Sequence, residues 1–279
     1  MSGQRIQDHY ASSGPGSTLA ARIIAALRAD AGADVAITPE ALAPFDHLHG
    51  RGALATQELA ALLEPLAGEA ILDIGSGIGG PARWIAAKYG CSITGVDLTA
   101  EFCDAARELN TMSGMSDRVR IVEGSALALP LPDATFDRAY SHNVVMNIAD
   151  KAGMYREAFR VLKAGGRLVL CHLNAGPMGP PEFPQPWAAV PENSFLATDD
   201  ETRRDLVDAG FEIMRFHDMT QALQPELAAL RLKMETEGIP RLGAHVLMGD
   251  RFLQLQANAM RALEDGRITT IECVAKKPG

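Results

Sequence analysis

The chain has 279 residues, of which 47% are hydrophobic and 22% are charged, and this balance is typical of a globular protein. Its formal net charge of −9 argues against a nucleic-acid substrate, because binding a phosphate backbone requires a positively charged stripe. We expect no membrane span and no signal peptide, because no segment approaches the roughly 20 apolar residues that a span needs. The four scattered cysteines, without metal-ligand spacing, predict a cytoplasmic protein with no metal site.

The first 50 residues are predicted to form a helical segment. Apolar residues recur at helical spacing over 18–29, and Thr38 followed by proline is typical of a second helix start. We expect residues 1–50 to form a lid over a ligand site in the domain at 51–279. The lid has three polar candidates for ligand contact: Tyr10, His47 and His49.

The most informative stretch is residues 69–81, which read EAILDIGSGIGGP. It predicts a buried strand over 70–74, a turn rich in glycine, and a helix over 81–89 that begins with proline. Such a strand, turn and helix bring bare backbone close to a ligand that resembles a nucleotide.

This stretch fits two cofactor motifs. Gly75, Gly77 and Gly80 match the dinucleotide pattern G-x-G-x-x-G, and Asp97 ends the next predicted strand, where a ribose-binding acid is expected. Asp73 argues against NAD, because a partly desolvated carboxylate at the glycine turn would repel a pyrophosphate. The same carboxylate would attract the α-ammonium of S-adenosylmethionine, which carries no phosphate. We therefore favour S-adenosylmethionine as cofactor, with an NAD-binding oxidoreductase as the alternative.

Three segments resemble motifs of the class I S-adenosylmethionine-dependent methyltransferases: residues 72–80, 95–98 and 161–168. Within that family, residues 46–52 and 79–83 look most like the sarcosine and dimethylglycine N-methyltransferase group and its quinone-methylating relatives. The resemblance implies an α/β fold, a doubly wound and mostly parallel seven-stranded sheet, in line with the alternation of predicted strands and helices.

The resemblance also implies roles for individual residues. Asp73 would hold the ammonium group, Asp97 would accept hydrogen bonds from the two ribose hydroxyls, and Leu98 would pack against the adenine. Ser125 or the backbone of Ala126 would contact the adenine amine. The full set of cofactor-binding candidates is Asp73, Gly75, Ser76, Gly77, Gly79, Asp97, Leu98, Ser125, Ala126, Ser141 and Tyr10.

Later elements are predicted from the same signals. The strands are expected at 92–96, 119–123, 136–140, 167–172, 211–216 and 267–275, and the helices at 51–66, 101–112, 151–162, 198–209, 224–237 and 245–265. Thr99 is a predicted N-cap, and Thr198 with Glu201 forms a capping-box pattern. Two insertions, the proline-rich loop at 174–197 and the helices at 221–266, are expected on the substrate side.

Residues 141–147 follow the fourth strand, where a doubly wound sheet binds its ligands. His142 is the first candidate for catalysis or substrate orientation, followed by Asn143 and Asn147. Methyl transfer is an in-line displacement that depends mainly on alignment and on exclusion of water. We expect N-methylation of a small amine or amino acid. The alternatives are O- or C-methylation of a quinone, phenol or natural product, and a non-catalytic S-adenosylmethionine-binding module. Whether the chain forms a homodimer is left open.

Overall fold

The computed structural model describes residues 18–47 and 51–279, so the candidates Tyr10 and His49 lie outside the described residues. The helices are α1 (Leu19–Ala31), α2 (Pro39–Asp46), α3 (Gly52–Leu63), α4 (Gly80–Tyr89), α5 (Ala100–Met112), α6 (Lys151–Val161), α7 (Asp199–Asp208), α8 (Thr220–Glu237), α9 (His245–Met248) and α10 (Phe252–Glu264). The strands are β1 (Ala70–Ile74), β2 (Ser92–Asp97), β3 (Val119–Glu123), β4 (Phe136–His142), β5 (Leu162–Ala175), β6 (Glu212–Asp218) and β7 (Ile268–Lys276).

The seven strands form one sheet in the order β3-β2-β1-β4-β5-β7-β6. Strands β1 to β5 pair in parallel, and β7 runs antiparallel to both β5 and β6. This confirms the predicted mostly parallel seven-stranded sheet. The strand order reverses between β1 and β4, so a crevice opens there at the carboxyl ends of the strands.

Side-chain capping agrees with the prediction at Thr38 and Thr198, and Thr18 is a further cap that was not predicted. Thr18 and Thr38 accept backbone N–H bonds at 3.1 and 3.2 Å, and Thr198 forms the complete capping box. Thr99 is the N-cap residue of α5, as predicted, but its side chain makes no cap hydrogen bond. Instead its backbone N–H donates to Asp97 Oδ1 at 2.8 Å, so the carboxylate caps this turn.

Several element boundaries also differ from the prediction: α3 ends at Leu63 instead of 66, and α8 begins at Thr220 instead of 224. Strand β5 extends over 162–175, well beyond the predicted 167–172, because β7 pairs with its carboxyl-terminal half through Ala175. The predicted helix over 245–265 is broken at 249–251, where Gly249 adopts a φ of 64°. A left-handed residue interrupts the helical hydrogen bonds and redirects the chain.

Apolar side chains pack on both faces of the sheet and around the amino-terminal helices. One core lies between the sheet and α6 and α7, and another lies between the sheet and α3, α4 and α5. Helices α1 and α2 form a third core with Ile78, which lies in the glycine turn, and with Leu109 of α5. The amino-terminal helices are therefore packed beside the turn. No helix within residues 18–47 and 51–279 is long and apolar enough to cross a membrane.

Candidate active site

A cavity of about 740 Å³ lies at the carboxyl ends of the central strands, at the reversal of strand order. Its lining includes Asp73, the turn at 75–78, Asp97 and His142. Residues of helices α8 and α10 line it as well. The volume falls in the range of sites that enclose small molecules. The cavity therefore joins the predicted cofactor region to a second region bounded by the carboxyl-terminal helices.

The glycines of the turn have different functions. A Cβ at Gly75, where φ is 80°, would lie 2.3 Å from a methyl carbon of Val144, so this glycine allows the two loops to touch. A Cβ at Gly77, where φ is 52°, would meet no atom within 4 Å and would project into open space. At Gly80 a Cβ would lie 2.0 Å from the carbonyl oxygen of Asp46. Of these three, Gly77 therefore keeps space clear for a ligand, and the other two serve contacts within the protein.

Asp97 is held rigidly by backbone amides. Its Oδ2 accepts the N–H of Gly77 at 2.8 Å, and its Oδ1 accepts the N–H of Thr99 at 2.8 Å. Burial raises the pKa of Asp97, and these hydrogen bonds act against that shift. Each carboxylate oxygen has a further lone pair, so Asp97 can still accept two hydroxyl donors.

Asp73 is buried at the base of the cavity, with 2% of its surface exposed. The Tyr140 hydroxyl donates to its Oδ2 at 2.8 Å. Burial and the nearby Asp97 raise the pKa of Asp73 and the Tyr140 hydrogen bond lowers it, and the net result is a pKa of about 7. A cationic ligand group would stabilise the ionised form of this carboxylate.

Four further cofactor candidates line the cavity: Ser76, Leu98, Ser125 and Ala126. Ser125 Oγ accepts the backbone N–H of Leu127 at 3.1 Å, which leaves its own proton available to donate. Ser76 Oγ is buried and has no hydrogen-bond partner within the described residues.

Two cofactor candidates lie outside the cavity lining. Ser141 is fully buried, and its hydroxyl donates to the carbonyl of Ile74 at 2.9 Å, so it ties β4 to β1 within the sheet. Gly79 is the N-cap of α4, with a φ of 78°, and its N–H donates to the carbonyl of Ser76 at 2.8 Å. Both residues therefore support the site without lining the cavity.

The three catalytic candidates, His142, Asn143 and Asn147, all line the cavity. Burial, with smaller contributions from the neighbouring His47 and Arg51, lowers the pKa of His142 to about 3. The imidazole is therefore neutral at pH 7, suited to hydrogen bonding and weak as a proton acceptor. Asn143 has a left-handed φ of 53°, and the Asn147 side chain donates to the carbonyl of Trp187 at 2.7 Å.

Sequence reasoning missed a group of charged residues at the cavity wall. Arg51 donates to both carboxylate oxygens of Glu58 at 2.6 and 2.7 Å, and to Glu226 Oε2 at 2.8 Å. Glu272 is 8% exposed and pairs with Arg215 at 3.3 Å. Burial raises the pKa of Glu272, Arg215 lowers it and Glu58 raises it. A glutamate inside the apolar strand β7 was the available sequence signal for this position.

The second region of the cavity is mainly apolar. On α8, the residues that face it recur at helical spacing, at 223, 227, 230 and 234. Such a stripe normally packs on a core, but here it borders the cavity. The apolar side chains of this wall are Met146, Trp187, Leu223, Leu227, Leu230, Met234, Leu255, Ala259, Met260, Leu263 and Ile268.

The site fits S-adenosylmethionine on its own geometry. The space in front of Gly77 admits a ligand backbone, and Asp73 offers an acid to an ammonium group. Asp97 offers two fixed acceptors to a pair of hydroxyls, and Leu98 adds an apolar surface nearby. Asp97 would suit the ribose of either predicted cofactor, whereas a carboxylate at Asp73 favours an ammonium group over a pyrophosphate.

Residues 72–170 match the family model described as a methyltransferase domain, so about a third of the chain is similar to that family. The match supports the predicted cofactor over the NAD alternative.

Two relatives illustrate the range of similar proteins. The chain is 28% identical over 165 residues to a sarcosine/dimethylglycine N-methyltransferase of Halorhodospira halochloris, covering 59% of each protein. It is 32% identical over 185 residues to 24-methylenesterol C-methyltransferase 2 of Oryza sativa subsp. japonica, covering 64% of this chain and 50% of the relative. The matches thus span between half and three fifths of these relatives.

The fold as a whole is similar to solved structures. A geranyl diphosphate C-methyltransferase from Streptomyces coelicolor A3(2) aligns with a TM-score of 0.71 and 18% identity. The alignment covers 99% of this chain and 98% of that one, so it includes the amino-terminal helices and α8 to α10. This similarity supports the architecture.

Proposed function

We propose that this protein transfers a methyl group from S-adenosylmethionine to a carbon or oxygen atom of a small molecule whose body is largely apolar. The observation that carries the proposal is the apolar stripe of α8, which faces the cavity together with Trp187 and the apolar side chains of α10. This supports the O- or C-methylation that the sequence left as an alternative over N-methylation of a small amine.

The energetic argument concerns what would fill this region. A small amino acid would leave the aliphatic wall in contact with water. An acceptor that buries about 100 Å² of apolar surface against the wall would gain about 2.5 kcal/mol, or roughly 70-fold in affinity. The wall therefore favours an apolar acceptor by a wide margin.

The bound cofactor would supply an electrophilic methyl group on its sulfonium. Asp73 and Asp97 would fix its two ends, at the ammonium and the ribose. Val144, which touches the glycine turn, and Asn143 border the space between cofactor and acceptor. Met146 and Trp187, both 3% exposed, would keep water from this space. These residues contribute alignment and desolvation, the two main requirements of in-line transfer.

An oxygen or carbon acceptor must also lose a proton. Glu272 lines the cavity, and burial raises its pKa, so its carboxylate is a stronger base than an exposed glutamate. His142, with a pKa of about 3, is a much weaker base and is better suited to orienting the acceptor through a hydrogen bond. We assign proton removal to Glu272 and orientation to His142.

N-methylation of a small amine is the second candidate. The N-methyltransferase relative supports it, and the carboxylates of Glu58 and Glu272 at the cavity wall could attract an amine. Arg51 pairs with Glu58 at 2.6 Å, however, which offsets much of that attraction.

The experiment that separates the two candidates is an acceptor panel scored by release of S-adenosylhomocysteine. The panel contains sarcosine, dimethylglycine, phenols with alkyl chains of increasing length, a sterol and a prenylated quinol. We expect activity to rise with the apolar surface of the acceptor. Highest activity on dimethylglycine would favour the second candidate, and no transfer to any acceptor would favour a non-catalytic binding module.

A matched pair of variants on one helix tests the role of the wall. Leu227 faces the cavity, whereas Leu232 is 60% exposed on the other side of α8. We expect Leu227→Asp to raise the KM for an apolar acceptor at least tenfold and to leave the Kd for S-adenosylhomocysteine unchanged. Leu232→Asp should change neither. Equal effects of the two variants would contradict the proposed acceptor site.

A further inference from the structure

We propose that the buried ion pair between Asp46 and Arg83 positions the glycine turn and thereby sets the affinity for the cofactor. The pair joins α2, in the amino-terminal segment, to α4, the helix that follows the turn. The inference rests on the cofactor site of the proposed function and is independent of the acceptor. In this view α2 is a permanent part of the cofactor site and not a detachable lid.

The pair is part of a closed hydrogen-bond network. Arg83 is fully buried; its Nε donates to Asp46 Oδ2 at 3.2 Å, and its Nη2 donates to Asp46 Oδ1. Its Nη1 donates to Asn110 Oδ1 at 2.9 Å, and the Asn110 amide donates to the carbonyl of Val119 at 3.0 Å. One guanidinium thus links α2, α4 and α5, and Asn110 continues the link to β3. Helix α4 begins at the end of the glycine turn, and α5 begins shortly after Asp97.

The network packs directly against the glycine turn. A Cβ at Gly79 would lie 3.1 Å from Arg83 Nη1, so the guanidinium lies against the underside of the turn. The carbonyl of Asp46 approaches Gly80 so closely that no side chain fits there. Asp46 and Ile78 also line the cavity. A shift of α2 would therefore move the wall on which the cofactor rests.

Stability alone does not account for this arrangement. Removing two charges from water costs several kcal/mol, and replacing a buried ion pair by apolar residues of similar size is often neutral or stabilising. What an apolar pair lacks is direction, because a guanidinium fork binds a carboxylate in one fixed orientation. We infer that the fork orients α2 relative to the glycine turn.

The test replaces the pair by an apolar pair, in the double variant Asp46→Leu with Arg83→Met. The melting temperature reports stability, and calorimetric titration with S-adenosylhomocysteine reports affinity. Hydrogen exchange of the amides at 75–80, without ligand, reports the order of the turn. We expect the single variant Arg83→Met to melt at a lower temperature, because it leaves Asp46 unpaired in the interior. The double variant should recover the melting temperature but bind at least tenfold more weakly, with faster exchange in the turn.

The matched control is the exposed ion pair between Asp30 and Arg241, which are 3.3 Å apart. It also joins the amino-terminal segment to the rest of the chain, so Asp30→Leu with Arg241→Met should leave affinity and exchange unchanged.

A double variant at 46 and 83 with native affinity and native exchange would overturn the proposal. If that variant does not fold, the affinity of Arg83→Lys tests the proposal instead, because lysine keeps the charge but lacks the guanidinium fork. Native affinity in Arg83→Lys would overturn the proposal. If the native protein does not bind S-adenosylhomocysteine, the proposed function is refuted. The hydrogen-exchange measurement would still show whether the ion pair orders the glycine turn.

Discussion

The affinity for S-adenosylhomocysteine should depend on pH through Asp73. Burial, together with the charge of Asp97, raises the pKa of this carboxyl to about 7, although the Tyr140 hydroxyl bond lowers it. Only the ionised form attracts the ligand's ammonium group. With a pKa of about 7, roughly one carboxyl in eleven is ionised at pH 6 and about ten in eleven are ionised at pH 8. The apparent affinity should therefore rise about tenfold from pH 6 to pH 8, which is about 1.4 kcal/mol.

Two variants test the assignment of this pH dependence to Asp73. Asp73→Asn removes the titrating group, so binding should be weak and nearly independent of pH. Tyr140→Phe removes the hydrogen bond that lowers the pKa, so the midpoint should move to higher pH. The assay is isothermal titration calorimetry at half-unit steps of pH and constant ionic strength. Affinity that is flat from pH 6 to pH 8 in the native protein, but lost in Asp73→Asn, would refute the reasoning.

The same carboxyl should affect the stability of the ligand-free protein. Its pKa is higher in the folded state than in the unfolded chain, so the folded state binds more protons between about pH 4 and pH 7. The stability that this group contributes is fully present below its unfolded pKa and is lost as the pH rises through the folded value. Relative to Asp73→Asn, the native protein should lose about 1.4 kcal/mol of unfolding free energy between pH 6 and pH 8, measured by urea titration.

Three further predictions follow from the site. Gly75→Ala should lower unfolding stability by about 2 kcal/mol or more, measured by urea denaturation, because its Cβ would overlap Val144 and φ is positive. Gly77→Ala shares the positive φ but its Cβ meets no protein atom, so it should lower stability less and should weaken S-adenosylhomocysteine binding more than Gly75→Ala does. The reverse pattern would contradict the assigned roles. Asp97→Ala should weaken S-adenosylhomocysteine binding at least tenfold by calorimetry, since it removes both fixed acceptors, and unchanged affinity would exclude Asp97 from the ribose site. Glu272→Gln should lower kcat with the best acceptor about 100-fold and leave the Kd for S-adenosylhomocysteine unchanged; an unaffected kcat would exclude Glu272 as the base.

The positions of the proposed cofactor-binding residues were largely predictable because their sequence signals are local. Asp73, the glycines and Asp97 occupy one continuous strand, turn, helix and strand, and their spacing alone predicts where each lies relative to the turn. The strand order follows less directly, since periodicity identifies strands but not their neighbours. The alternation with helices was nevertheless enough to predict a mostly parallel sheet.

The finer assignments among the proposed cofactor-binding residues depended on contacts between distant parts of the chain. The sequence motif does not distinguish the roles of its glycines. In the structure Gly75 packs against Val144 and Gly80 packs against Asp46, and each partner is distant in sequence. Ser141 follows the ligand-binding pattern, yet its hydroxyl is used by the carbonyl of Ile74 on the neighbouring strand. A serine at a strand end has the same sequence signal whether it faces the ligand or the sheet.

The sequence by itself predicted the cofactor class, because the carboxylate of Asp73 at the glycine turn favours a ligand with an ammonium group over one with a pyrophosphate. Tertiary structure decided the pairing of Asp46 with Arg83, the burial of Glu272 and the direction in which the apolar stripe of α8 faces. An apolar stripe looks the same in sequence whether it packs on a core or borders a cavity. Only the packing of the other elements around it determines which of the two it does, and with it the kind of acceptor that the protein can bind.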